Sequence, residues 1–146
     1  MKRLLSAFLF VIITANLLVI PAMATDNATG HTIRYEDGSY AIVTFCSDSF
    51  ARSTTDKFKT YTYYNPLGQK CFAYTLYAAF TYNGTTSHAD SCDFGAAIYR
   101  QGWDIQSHSE YTSGNTAYGN ATFVGPEGQV RTANLTLTCD KNGNVT

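Results

Sequence analysis

CFAYTLYAAFTYN, residues 71–83, is the stretch whose reading decides the fold. Phe72, Tyr74, Leu76, Ala78, Phe80 and Tyr82 fall on one parity, and Cys71, Ala73, Thr75, Tyr77, Ala79 and Thr81 on the other. A period of two, with aromatics and threonines and no charge, predicts a strand rather than a helix. Asn83-Gly84 follows, a pair suited to a type I′ hairpin turn, whose central residues both take positive φ. The stretch therefore reads as a central strand, covered on both faces. It points to a fold class and to no chemistry.

Working outward, residues 39–46 (SYAIVTFC) are rich in strand formers, and residues 57–64 (KFKTYTYY) alternate with lysines on one parity. Lysine side chains keep their charge in water, so Lys57, Lys59, Tyr61 and Tyr63 are expected on a wet face. Residues 47–56 read as a polar loop, and Asn65-Pro66-Leu67-Gly68 as a turn. Beyond the central strand, residues 85–91 form a polar return strand that residues 92–99 continue. In residues 103–108, Trp103, Ile105 and Ser107 alternate with Asp104, Gln106 and His108. Ala117, Gly119 and Ala121 share a parity with Phe123, small residues that leave room for large aromatics, Trp103 among them, from an opposing sheet. Residues 130–139 alternate once more. Short strands between turn signals predict an all-β fold, an antiparallel β-sandwich or barrel-like sheet.

The first 24 residues stand apart. Lys2 and Arg3 precede an almost wholly apolar run, Pro21 breaks it, and Ala22-Met23-Ala24 supplies a small-x-small cleavage site. These features predict a signal peptide over residues 1–24, removed to leave a single secreted β domain over residues 25–146. An uncleaved anchor is the rival reading, since about 17 apolar residues nearly span a bilayer; the cleavage site and the polar TDNATG after it favour removal. Loss of Lys2 and Arg3 leaves eight cations against eleven carboxylates, a net of −3. No basic stripe exists to meet nucleic acid or an anionic membrane surface.

Four cysteines in an exported chain predict a disulfide framework. Three connectivities are open. Cys92 shares its parity with Phe94, Ala96 and Ile98, and Cys139 with Ala133, Leu135 and Leu137. Both point to the expected core, which favours Cys92–Cys139 and leaves Cys46–Cys71.

Residues able to do chemistry are sparse. His88, Asp90 and Asp93 lie near one another, but a polar loop beside a disulfide explains them better than a metal site. Asp104 and His108, with Glu110 nearby, share the polar parity of an alternating strand, as a solvated face would. Glu36, Glu110 and Glu127 sit near turn-like residues and offer no glycosidase pair. No nucleophile elbow and no phosphate loop occurs, so the chain reads as neither an enzyme nor a cofactor protein. The aromatic surplus is the stronger signal. Tyr61, Tyr63, Tyr77 and Tyr99 fall off the presumed core parity or at a strand end, and exposed tyrosines stack on sugars or on a protein partner. Tyr61 and Tyr63, beside the lysines, are the expected binding residues. Five N-x-[ST] sequons, at Asn27, Asn83, Asn120, Asn134 and Asn144, follow from a chain rich in Thr and Asn.

Four segments carry a resemblance: residues 74–84 (YTLYAAFTYNG), Trp103, residues 113–123 (SGNTAYGNATF) and residues 135–143 (LTLTCDKNG). The chain from 71 to 144 resembles a family of short exported proteins of Gram-positive bacteria with no assigned function. The resemblance implies a common β fold and secretion, and carries over no catalytic or binding residue. The function expected is that of an extracellular binding module for a glycan or protein ligand. The alternative is a secreted effector, a bacteriocin-like toxin or a small hydrolase.

Overall fold

The computed structural model describes residues 29–47 and 54–146. The signal segment, the Asn27 sequon and most of the predicted loop between 47 and 56 lie outside the described residues. The fold is all-β, built from two antiparallel sheets that face each other. The first sheet carries β1 (Thr29–Arg34), β2 (Tyr40–Ser47), β3 (Thr54–Tyr64), β4 (Lys70–Tyr82) and β5 (Ser87–Ile98), in sequence order. The second carries β6 (Asp104–Ser113), β7 (Thr116–Val124) and β8 (Val130–Thr138). β3 starts at Thr54, earlier than the lysine-led alternation suggests.

β4 is the longest strand, and its parity divides the molecule. Phe72, Tyr74, Leu76, Ala78 and Phe80 are buried between the sheets. On the other parity Cys71 and Ala73 are also buried but Thr75, Tyr77, Ala79 and Thr81 are half-buried or exposed, so β4 is covered on both faces only at its start and is open on one face beyond it. The turn after it also differs from the expectation. Tyr82 pairs with Ser87 across a four-residue loop in which Asn83 Oδ1 accepts the Thr85 and Thr86 amides at 2.9 and 2.8 Å. Gly84 alone takes positive φ, at 83°. The Asn side chain thus supplies hydrogen bonds that a two-residue turn would not need.

Small residues on β7 receive the large ones of β4, as their spacing predicts. A Cβ on Gly119 would come within 2.6 Å of the Tyr74 hydroxyl and 2.9 Å of Leu76. Trp103 is buried, but its floor is Gly125, where a Cβ would lie 2.7 Å from the indole, and not the Ala117–Gly119–Ala121 set. Its neighbours are Phe72 and Tyr63, at centroid distances of 4.9 and 5.1 Å, and Phe72 stacks on Phe123 of the second sheet at 3.9 Å. Each such ring contributes about 1.5–3 kcal/mol of burial.

The structure gives the disulfide expectation no support. No two cysteines stand at bonding distance, and Cys71, Cys92 and Cys139 are thiols. Cys46 registers with Phe58, and Phe58 with Tyr77, six residues along β4 from Cys71. That is about 20 Å along the sheet at 3.3 Å per residue, far past the ~7 Å Cα limit for a bridge. Cys139 is held beside Ser87, whose Oγ donates to the Cys139 carbonyl at 2.7 Å, and Ser87 lies five residues, or about 16 Å, from Cys92. Parity placed Cys92 and Cys139 on the correct side but carried no information about distance along the strands. Burial raises the Cys71, Cys92 and Cys139 thiols above the ordinary cysteine range, which keeps them protonated.

Candidate functional site

The tyrosines divide by face. Tyr61 and Tyr63 are 2% and 1% exposed, so the wet lysine-tyrosine face is corrected: this parity of β3 is the core side. The register explains it, since Tyr61 pairs with Tyr74 and Tyr63 with Phe72, both inward residues of β4. Tyr61 donates or accepts at the Tyr35 hydroxyl, 2.6 Å away, and burial holds its phenol well above the usual range. Lys57 and Lys59 share that parity but sit where β3 runs under the open β8 edge. Lys59 Nζ reaches out to the Thr136 carbonyl at 2.8 Å. The long stem lies in the seam and the ammonium covers an edge-strand acceptor.

Tyr77 and Tyr99 behave as the aromatic argument expects. They are 47% and 56% exposed and stand on the outer side of the first sheet. The cross-strand register sets that face out in rows. Gly30, Thr44, Thr60, Thr75 and Gly95 form one row, and Thr32, Ile42, Thr62, Ala73 and Ala97 the next. Thr60 and Thr75 exchange a hydroxyl hydrogen bond at 2.9 Å. The Tyr77 ring lies across Gly95, where a Cβ would approach its Cε2 at 3.2 Å. Tyr99 follows Gly95 by four residues, about 13 Å along the strand, and Lys70 Nζ sits over its ring at 4.8 Å. Between the two rings is a shallow hollow of about 320 Å³ floored by Ala73, Thr75, Ala97 and the β3 threonines. The arrangement offers two aromatic plates, a small-residue floor and hydroxyls, with charge only at the ends.

The acid/base candidates separate. A bulge between Ile105 and Ser107 shifts the register of β6, so His108 pairs with Ala121 and Glu110 with Gly119, both inward positions of β7. Asp104 stays outward, and the shared polar parity of Asp104 and His108 is therefore corrected. His108 Nδ1 lies 3.0 Å from Glu110 Oε2, and Tyr74 donates to Glu110 Oε1 at 2.6 Å. The imidazole packs against Phe94 at 3.9 Å. Both carboxylate oxygens are engaged, which makes Glu110 the bridge tying β4 to β6. His88 Nδ1 lies 2.8 Å from the Gly114 carbonyl, Asp90 accepts from Thr81 and Asp93 from its neighbour's amide. Among the described residues no group of three His, Cys, Asp or Glu is placed to hold a metal ion.

Sequence reasoning missed the rows themselves. Thr44, Thr60 and Thr75 lie on three strands, and only the pairing register brings them side by side. The chain matches no known family profile, no curated protein and no solved structure.

Proposed function

We propose that the protein is an extracellular binding module that takes a neutral glycan on the outer face of the first sheet. The observation that carries this reading is Tyr77 packed over Gly95 and half exposed, with Tyr99 at the far end of the same hollow. A ring fixed on a rigid sheet stacks on a sugar face at little ordering cost. The threonine hydroxyls between the rings donate and accept, as a polyhydroxy ligand requires. The two rows between the rings carry no charge, and the nearest charges on the face are Asp93, paired with Tyr77, and Lys70 over Tyr99, so the floor suits an uncharged ligand better than an acidic one. The proposed setting is outside the cell, from the leader-like residues 1–24 and the resemblance to exported bacterial proteins, and the proposed mode is contact rather than catalysis.

The test is depletion of the purified protein by insoluble cellulose, chitin and α-glucan, with the acidic polymers heparin and alginate as controls. Saturable binding to a neutral polymer, weakened at least tenfold in Tyr77→Ala/Tyr99→Ala with an unchanged melting temperature, is the expected result. Equal binding by that variant overturns the reading.

A further inference from the structure

The second sheet has an outer face of its own, and its composition is unusual for a surface exposed to water. Register and alternating burial put Ser107, Thr122 and Thr132 in one outward row. Ser109, Asn120 and Asn134 form the next, then Tyr111, Tyr118 and Thr136, then Ser113, Thr116 and Thr138. Every one of these side chains has a hydroxyl or an amide and none is charged. Asp104 stands outside these rows, beyond the Ser107 row and beside Val124 and Val130. Tyr111 and Tyr118 stack at 4.9 Å with their planes 12° apart, making one continuous aromatic plate within the hydroxyl field. Tyr111 is 51% exposed.

We infer that this face is a second platform for a neutral polysaccharide, so that one protein bridges two polymer chains. The inference rests on the reading of the first sheet for its bridging part; the platform itself is carried by the second sheet alone. Three observations favour a polysaccharide over a protein partner. Protein interfaces have an apolar, desolvated centre with arginine and aromatic anchors, whereas here the row of Tyr111 and Tyr118 is bordered on both sides by rows of Ser, Thr and Asn alone, with no arginine and no aliphatic side chain among them. An uncharged face has no charge complementarity to offer an acidic or basic partner. Rows about 4.8 Å apart between strands and about 6.7 Å apart along them present paired donors and acceptors over an area that an extended chain of sugar rings covers without entering a pocket. The two platforms lie on opposite sides of the core, so a single polymer strand does not contact both, and occupancy of both faces cross-links.

The experiment uses suspensions of chitin and cellulose nanocrystals, read by pelleting for binding and by turbidity for agglomeration. Wild type is expected to bind and to agglomerate the particles. Tyr111→Ala/Tyr118→Ala is expected to bind through the first sheet with apparent affinity lowered about 10–100-fold as avidity is lost, and to agglomerate nothing. Asn120→Asp, nearly isosteric and in the middle row, is expected to act in the same direction and guards against a variant that fails by unfolding. Agglomeration at wild-type level in both variants overturns the second platform and leaves the first reading standing. If Tyr111→Ala/Tyr118→Ala abolishes binding altogether while Tyr77→Ala/Tyr99→Ala changes nothing, the second sheet is the sole platform, and both bridging and the first reading fall. Wild type that binds neither polymer overturns both.

Discussion

Tyr63→Ala separates the two possible roles of the β3 tyrosines most cleanly. Were the ring a surface plate, its loss would cost within about 0.5 kcal/mol. In the structure it is 1% exposed, stacked on Phe72 at 5.2 Å, tilted against Trp103 at 5.1 Å and edge-on to Tyr35 at 6.0 Å. The Arg131 guanidinium lies 5.3 Å from its centroid on the remaining side. Removing a buried aromatic ring leaves a cavity and costs about 3–5 kcal/mol. The lower bound requires collapse around the hole, which Trp103 resists because Gly125 already fixes its position. At about 4 °C per kcal/mol for a chain of this size, the midpoint should fall by about 12–20 °C in a reversible thermal melt followed by circular dichroism. Tyr77→Ala, run beside it, should move by no more than about 2 °C on the same scale. A Tyr63→Ala midpoint within about 4 °C of wild type would refute the packing argument.

Gly125→Ala places a methyl within 2.7 Å of the indole and should destabilise by about 1–3 kcal/mol through overpacking, measured by urea unfolding. Thiol titration of denatured, unreduced protein should find all four cysteines; in the native protein Cys46 and Cys92 should react before the buried Cys71 and Cys139. Asp37 and Asp140 are held below the usual carboxylate range, first by the hydrogen bonds from the side chains of Ser39 and Asn144 respectively. A depressed folded pKa gives stability that is present above the unfolded value, 3.8 here, and lost as the pH falls through the folded one. The melting temperature should therefore drop below about pH 4, and Asp37→Asn/Asp140→Asn should make that drop shallower.

Alternation along β4 was legible because large apolar residues occupy one parity without interruption from Phe72 to Phe80. β3 was misread for a physical reason. Its inward parity holds both lysines and the tyrosines Tyr61 and Tyr63, and nothing local says that Lys57 is buried there or that the Lys59 ammonium ends on the Thr136 carbonyl at the seam. The cue lay in the partner strand, because antiparallel pairing aligns Tyr61 with Tyr74 and Tyr63 with Phe72. On β6 the bulge after Ile105 reverses every later side chain, and a run of Ser, His and Glu has no apolar parity that would reveal it. Cysteine parity survived and cysteine pairing found no support, since a period of two reports the face and not the position along it.

The same register explains where the charges went, and that bears on function. In an ordinary antiparallel sandwich the solvent-facing parity carries the ionic residues and the inward parity is apolar. Here Lys57, Lys59, Glu110 and Arg131 point inward at the seams, while the middle rows of both outer faces hold Thr, Ser, Asn, Ala, Gly, Ile and Tyr. The inward placement has a cost. Burial pushes the Lys59 ammonium below the usual lysine range, and the buried Arg131 Nε has no hydrogen-bond partner, although Asp37 binds the other end of the guanidinium. Part of the return is edge protection, because Lys59 occupies the Thr136 carbonyl of β8 that would otherwise invite another strand. Edge protection accounts for charge at the seams. It does not account for its absence from the middle rows of the faces, where a lysine or glutamate would be solvated at no cost and would aid solubility. Middle rows without charge on both sides of one core, bounded on the first sheet by Asp93 beside Tyr77 and Lys70 beside Tyr99, are what contact with a neutral, hydrated polymer would select, and they are the feature of this molecule that stability alone leaves unexplained.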